Sequence, residues 1–185
     1  AGADFLKLCA TGGITSVTDD YGEPQFTVEE IRAAVYEAEA RRKRVAVHAE
    51  GLAGIKNALQ AGVYSIEHGW FMDDECVDLM LKRRTWWIPT LALVPRSRQR
   101  RMEDKAWDQA QLGEEDRKDE EIYQQQLNQV PLWKHAVEKG LRVAMGTDQS
   151  HRLLTGANLV ELEFMVTHLG MAPMQAIVSA TKTAA

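Results

Sequence analysis

The sequence predicts an α/β fold, a partial (β/α)8 barrel holding about five of the eight strand-helix units. Three observations carry that prediction. Short apolar runs alternate with amphipathic helical patterns along the chain, which implies a parallel sheet with right-handed crossovers. Polar residues stand at the ends of several runs, where the sites of barrels collect. No G-x-G-x-x-G follows the first run, which weighs against the competing open doubly wound sheet.

Each element has its own signal. DFLKLCATGG is the first run, followed by a loop rich in turn formers, TSVTDDYGEPQ. Thr27 with Glu30 three residues later reads as a capping box opening a helix, on which Ile31, Ala34, Val35 and Ala38 fall at helical spacing. RVAVH, residues 44 to 48, is the second run, and its helix carries Ile55, Ala58 and Leu59. VYSIEH, residues 63 to 68, is the third, followed by a helix from about Asp73 with Val77, Met80 and Leu81 on one side. TWWIPTLAL, residues 85 to 93, is the fourth, and LRVAMGTD, residues 141 to 148, is the fifth. Two helices follow, one over residues 157 to 168 and one opened by Pro173, a residue suited to a first helical turn.

The very polar stretch at about 95–130 reads as a charged insertion, helical in part. Such a charge run is either a solvated face or a lid over a site. A complete barrel needs about 200 to 250 residues, so about three units are expected outside these 185. Both ends read as interrupted: AGADFLKL begins almost on a strand, and SATKTAA stops within a helical pattern.

Composition narrows the function classes. With 22 basic and 27 acidic residues and a net charge of −5, no broad basic face points to nucleic acid. No apolar run approaches the roughly 20 residues of a membrane span. Cys9 and Cys76 sit in apolar or helical patterns and read as core residues, without support for a disulfide. An open edge on a partial barrel is sticky, so a homo-oligomer is expected. The compartment, cytoplasmic or periplasmic, is left open.

Four strand ends carry chemistry. Strand alternation puts Phe5, Lys7 and Cys9 on one face and Leu6 and Leu8 on the other, so Lys7 is expected to point into the barrel. Burial lowers an amine's pKa, and a neutral amine can capture carbon dioxide as a carbamate whose two oxygens suit a pair of cations. His48 ends the second run, His68 the third, and Asp148 follows the fifth in GTD. Neutral imidazole and carboxylate are ligands that zinc and similar ions accept. One helix separates the two histidines, so both imidazoles are expected to reach one centre. Asp148 has a second possible task, taking a proton from an attacking water and delivering it to a leaving amine, against the plainer role of a turn residue.

The segments DFLKLCATGG, VAVHAEG, SIEHG, IPTLAL and VAMGTDQS, together with the tail TGANLVELEFMVTHLGMAPMQAIVSATKTAA, resemble the amidohydrolase superfamily. The resemblance is to its branch of Xaa-Pro dipeptidases and imidazolonepropionase-like enzymes. It implies that residues 1–185 are the C-terminal portion of such a barrel. It implies a binuclear zinc site, with carboxylated Lys7 bridging two Zn2+ ions, His48 and His68 on the second, and Asp148 on the first as acid and base. The implied activity is metal-dependent hydrolysis of an amide bond in a small peptide or N-acyl amino acid by an activated water. A cyclic-amide hydrolase and a non-catalytic fragment are the alternatives. The family's first strand carries an H-x-H pair that this chain lacks: His135 and His168 fall in helical patterns, and His151 follows Asp148. The resemblance also suggests Tyr21 and Gln25, in the loop after the first run, as contacts for a substrate carboxylate. Arg152 and His151 are further candidates, without a spacing argument. Trp86 and Trp87 face opposite sides of their strand, so at most one lines the interior.

Overall fold

The computed structural model describes residues 2–14, 18–95, 109–148 and 156–184. His151, Arg152 and the first part of the charged insertion lie outside the described residues. The chain forms two compact units, one of Ala1–Pro89 with His135–Ala144 and one of Thr90–Lys134 with Met145–Ala185.

The first unit contains the whole sheet: β1 (Phe5–Cys9), β2 (Arg44–Ala49), β3 (Ser65–His68), β4 (Trp86–Ile88) and β5 (Arg142–Val143). All neighbours are parallel and stand in chain order, β1-β2-β3-β4-β5. A doubly wound sheet reverses order at a switch point, whereas a barrel winds in one sense. The fold is that of a partial barrel.

Helices α1 (Val28–Glu39), α2 (Leu52–Ala61) and α3 (Asp74–Arg83) connect the first four strands. Thr27 caps α1 as its sequence indicates: its hydroxyl accepts from the Glu30 amide at 3.3 Å, and Glu30 accepts from the Thr27 amide at 2.8 Å. Asp73 caps α3 by accepting from the Cys76 amide at 2.9 Å. The apolar stripes bury Ile31, Val35, Ile55, Ala58, Leu59, Val77 and Met80, and the sheet contributes Val45, Val47, Ile66 and Trp87.

Two strands are shorter than their apolar runs. Pro89 offers no N–H to continue β4, and Thr90 turns into the left-handed region at φ 48. Because β5 pairs only with β4, it too is short; the Ala144 amide, donating to the Trp87 carbonyl at 3.0 Å, follows its last residue. Cys76 is buried as expected, but Cys9 is exposed, on the open face of edge strand β1, and both are free thiols.

The second unit holds most of α4 (Gln109–Glu138), then a 3-10 turn at Ala157–Leu159, α5 (Val160–Leu169) and α6 (Pro173–Ala180). Pro173 opens α6, as anticipated. The described part of the charged insertion is helical but not wholly solvated, since Asp119, Ile122 and Gln126 form a buried stripe at helical spacing.

One packing detail positions the loop after β1. A Cβ on Gly54 of α2 would collide with the Thr11 methyl and come within 2.9 Å of the Ala10 carbonyl; one on Gly51 would strike the Tyr21 carbonyl. Loop and helix approach to a distance only glycine permits. Gly54→Ala should therefore lower stability by about 1–3 kcal/mol, read as a shifted urea midpoint. An unchanged midpoint would show that the contact is soft.

Candidate metal centre

His48 sits near the end of β2, and Glu50 follows two residues later, on the same side of an extended chain. His68 is the last residue of β3. The sheet register pairs His48 with Glu67 and Ala49 with His68. In regular alternation the two imidazoles would thus project to opposite faces. They do not: the ring centroids are 4.6 Å apart in an edge-on arrangement. The reason is a left-handed backbone at His68, φ 68, followed by Gly69 at φ 63. For a non-glycine residue that conformation costs about 1–2 kcal/mol. It is held in place from below, where the Trp87 indole donates to the His68 carbonyl at 2.6 Å. Trp87 is the buried member of its pair, while Trp86 lies on the other face with Arg142 stacked 3.8 Å over its ring.

Donor atoms of His48, Glu50 and His68 all lie within 4.8 Å of one another. His48 is half-buried, and the other two are almost wholly buried. The His48 Nε2 meets the Gly12 carbonyl at 3.2 Å; a ring donating through Nε2 keeps its lone pair on Nδ1. Burial, then the charges of His48 and Lys7, hold the His68 imidazole well below its usual range. It is neutral at pH 7, the form that binds metal. Glu50 takes the Ile14 amide on Oε2 at 2.7 Å, and its own amide donates to the Thr11 hydroxyl at 3.1 Å. Two imidazoles and a carboxylate are donor types that fit zinc and similar divalent ions.

The other sequence candidates are placed as follows. Lys7 is in β1 at the sheet edge, paired with Ala46, and its charge acts on His68. It is exposed, not buried as expected, because an edge strand has a neighbour on one side only. Tyr21 is half-buried with its ring 5.4 Å from that of Phe71 in the loop after β3. Gln25 is exposed, its amide donating to the Ala10 carbonyl at 2.7 Å. Asp148 belongs to the second unit, exposed and left-handed at φ 50.

Two acidic residues escaped the sequence reading. Glu50 stood inside VAVHAEG, and the His-x-Glu spacing that places two donor side chains on one side was the signal. Glu161, in the second unit, is fully buried and accepts from the Leu91 and Ala92 amides at 2.7 and 2.8 Å. Nothing in its helical pattern distinguishes it from a solvated glutamate.

A model of the amidohydrolase family matches residues 1–185. The chain belongs to the amidohydrolase family. It is 29% identical to ochratoxinase of Aspergillus niger over 186 residues, covering 99% of this chain and 36% of that protein. The crystal structure of the A. niger ochratoxinase superposes with a TM-score of 0.79 at 30% identity, over 99% of this chain and 39% of the other. A Xaa-Pro dipeptidase with methionine bound in its active site gives a TM-score of 0.80 at 38% identity, over 99% and 43%. The chain thus spans well under half the length of these relatives.

Burial pushes the Glu161 carboxyl up to about 7 from the ordinary 4.5, against the lowering effect of the two amides. A raised folded-state pKa contributes stability that is complete below about pH 4.5 and lost as pH rises through about 7. Glu161→Gln cannot ionise. The melting temperature of this variant relative to wild type should rise steadily between about pH 5 and pH 8, followed by circular dichroism. A difference independent of pH would contradict a buried titrating carboxyl.

Proposed function

We propose that this chain is the C-terminal portion of a metal-dependent barrel that hydrolyses an amide bond in a dipeptide or N-acyl amino acid. The observation that carries the reading is the meeting of His48 and His68 at the ends of adjacent parallel strands, in a member of the amidohydrolase family. The peptide substrate class is supported by similarity to a protein named a Xaa-Pro dipeptidase and to ochratoxinase.

In this reading His48 and His68 would hold a divalent ion, zinc by the chemistry of their donors, and Lys7, once carboxylated, would supply a further carboxylate ligand to a binuclear centre. For that, the Lys7 amine in its neutral form would attack carbon dioxide and give its proton to water, leaving a carbamate with two oxygens. Bound divalent ions lower the pKa of water and polarise a carbonyl. Asp148 takes the proton of the attacking water and returns it to the departing amine nitrogen. Tyr21, beside Phe71, and Gln25 meet the substrate's free carboxylate, Tyr21 through its hydroxyl and Gln25 through its carboxamide.

The test is metal content and turnover together. The full-length protein of which this chain is a portion, reconstituted with zinc, should hydrolyse an acyl-proline or other dipeptide and lose that activity on chelation, whereas residues 1–185 alone, without an H-x-H pair, should show little or none. Lys7→Ala should lower turnover by about 100-fold or more while His48→Ala and His68→Ala also release zinc. Hydrolysis of lactams alone, or full turnover in Lys7→Ala, would overturn the assignment.

A further inference from the structure

We propose that the cleft where β2, β3 and β4 begin is an anion site for a phosphoryl group carried by a small soluble molecule, held by Arg44, Arg83 and Arg84. It lies at the opposite end of the strands from His48 and His68, and it does not depend on the proposed function.

The cavity there has a volume of about 160 Å3. Buried Val45, Val63 and Thr85 line its floor. Cations form its rim: Lys43, Arg44, Arg83 and Arg84 stand, among the described residues, against the one carboxylate of Glu39. Such an excess runs against the chain as a whole, whose net charge is −5. Elsewhere in the first unit cations meet carboxylates, as Arg41 meets Glu37 and Lys56 meets Asp73. Among the described residues no carboxylate forms an ion pair with Arg44, Arg83 or Arg84.

The guanidinium groups are also held in place. Arg44 lies over the Tyr64 ring, 5.1 Å from its centroid, and the Tyr64 hydroxyl accepts from the Trp86 indole at 3.1 Å. Arg83 donates to the Gln60 carbonyl at 3.3 Å and passes over Gly62, where a Cβ would come within 3.2 Å of its Nη1. Backbone strain marks the same end of the sheet. Each of the four turns from helix to strand contains a left-handed residue: Arg42, Gly62, Arg84 and Gly140, at φ 55, 93, 59 and 92. Glycine takes this conformation freely, and arginine does not. Strain kept at Arg84, where glycine would relieve it, implies a task for the side chain. A planar guanidinium engages two phosphate oxygens at once and stays charged at any ordinary pH. A cavity of this size admits a phosphoryl group and not a length of polymer.

The structural alternative is that these arginines only offset the carbonyl ends of the helices. Arg84→Gly separates the readings, because it removes the side chain while relieving the turn; Arg83→Ala is the second variant. Inorganic phosphate is the probe, titrated calorimetrically into the zinc-loaded full-length protein. The expected result is saturable binding in wild type, weakened about 10-fold or more in each variant, the loss of one charge-assisted contact. Arg84→Gly should melt no lower than wild type, so that its lost affinity is not lost fold. Phosphatidylcholine vesicles containing phosphatidic acid should sediment no more protein than phosphatidylcholine alone. No saturable binding to wild type, or wild-type affinity in both variants, would overturn the proposal, the latter by placing phosphate at the metal centre or elsewhere. A lower melting temperature in Arg84→Gly with phosphate affinity intact is what the alternative gives. Vesicle sedimentation that disappears in both variants would assign the arginines to a lipid headgroup and overturn the soluble ligand.

Discussion

The peptide joining His68 to Gly69 is the constraint on which the site depends. Parallel pairing of β2 and β3 sets the register so that His68 stands opposite Ala49, not His48. Alternation alone would send the two imidazoles apart. The left-handed turn at His68 reverses that outcome, and the Trp87 indole holds the turn by donating to the His68 carbonyl. Added bulk has no room there, because a Cβ on Gly69 would lie 3.0 Å from Trp87 Nε1 and 3.1 Å from Ile66 Cγ2. Local strain is thus stored where two strands bring their imidazoles to one point, and a buried aromatic residue on the next strand supplies the support.

The loop after β1 provides the other wall. It is pressed against the N-terminus of α2, where Gly51 and Gly54 let Tyr21, Ala10 and Thr11 come close. From that position the loop contributes the Gly12 carbonyl to His48, the Ile14 amide to Glu50 and the Thr11 hydroxyl to the Glu50 backbone. Both sides of the cluster are therefore set by backbone and side-chain groups of the first unit. Rigid positioning of this kind selects one ring orientation and one carboxylate direction before any ligand arrives.

Elements with a local signal were legible in the sequence. The Thr27–Glu30 box, a helix start near Asp73, Pro173 at the start of a helix and the opposite facing of Trp86 and Trp87 each follow from the residue's own chemistry. His48 and His68 were legible as a pair because both end apolar runs. What was not legible depends on neighbours distant in sequence. The turn at His68 needs Trp87 beneath it, the burial of Glu161 needs the Leu91 and Ala92 amides, and the exposure of Lys7 and Cys9 follows from β1 being an edge. β4 and β5 ended early because Pro89 and Thr90 stop one strand, which then leaves the other without a partner. Glu50 was legible in principle, since its spacing from His48 is the alternation that places two side chains on one side.

The most direct measurement of the central claim is the position of a bound ion. Crystals of the protein grown with zinc, with data collected on both sides of the zinc absorption edge, should show an anomalous peak within about 2.0–2.2 Å of a ring nitrogen from each of His48 and His68, with His68 still left-handed. A peak touching only one of these rings, or a His68 in extended conformation with its ring turned toward the helices, would contradict the account.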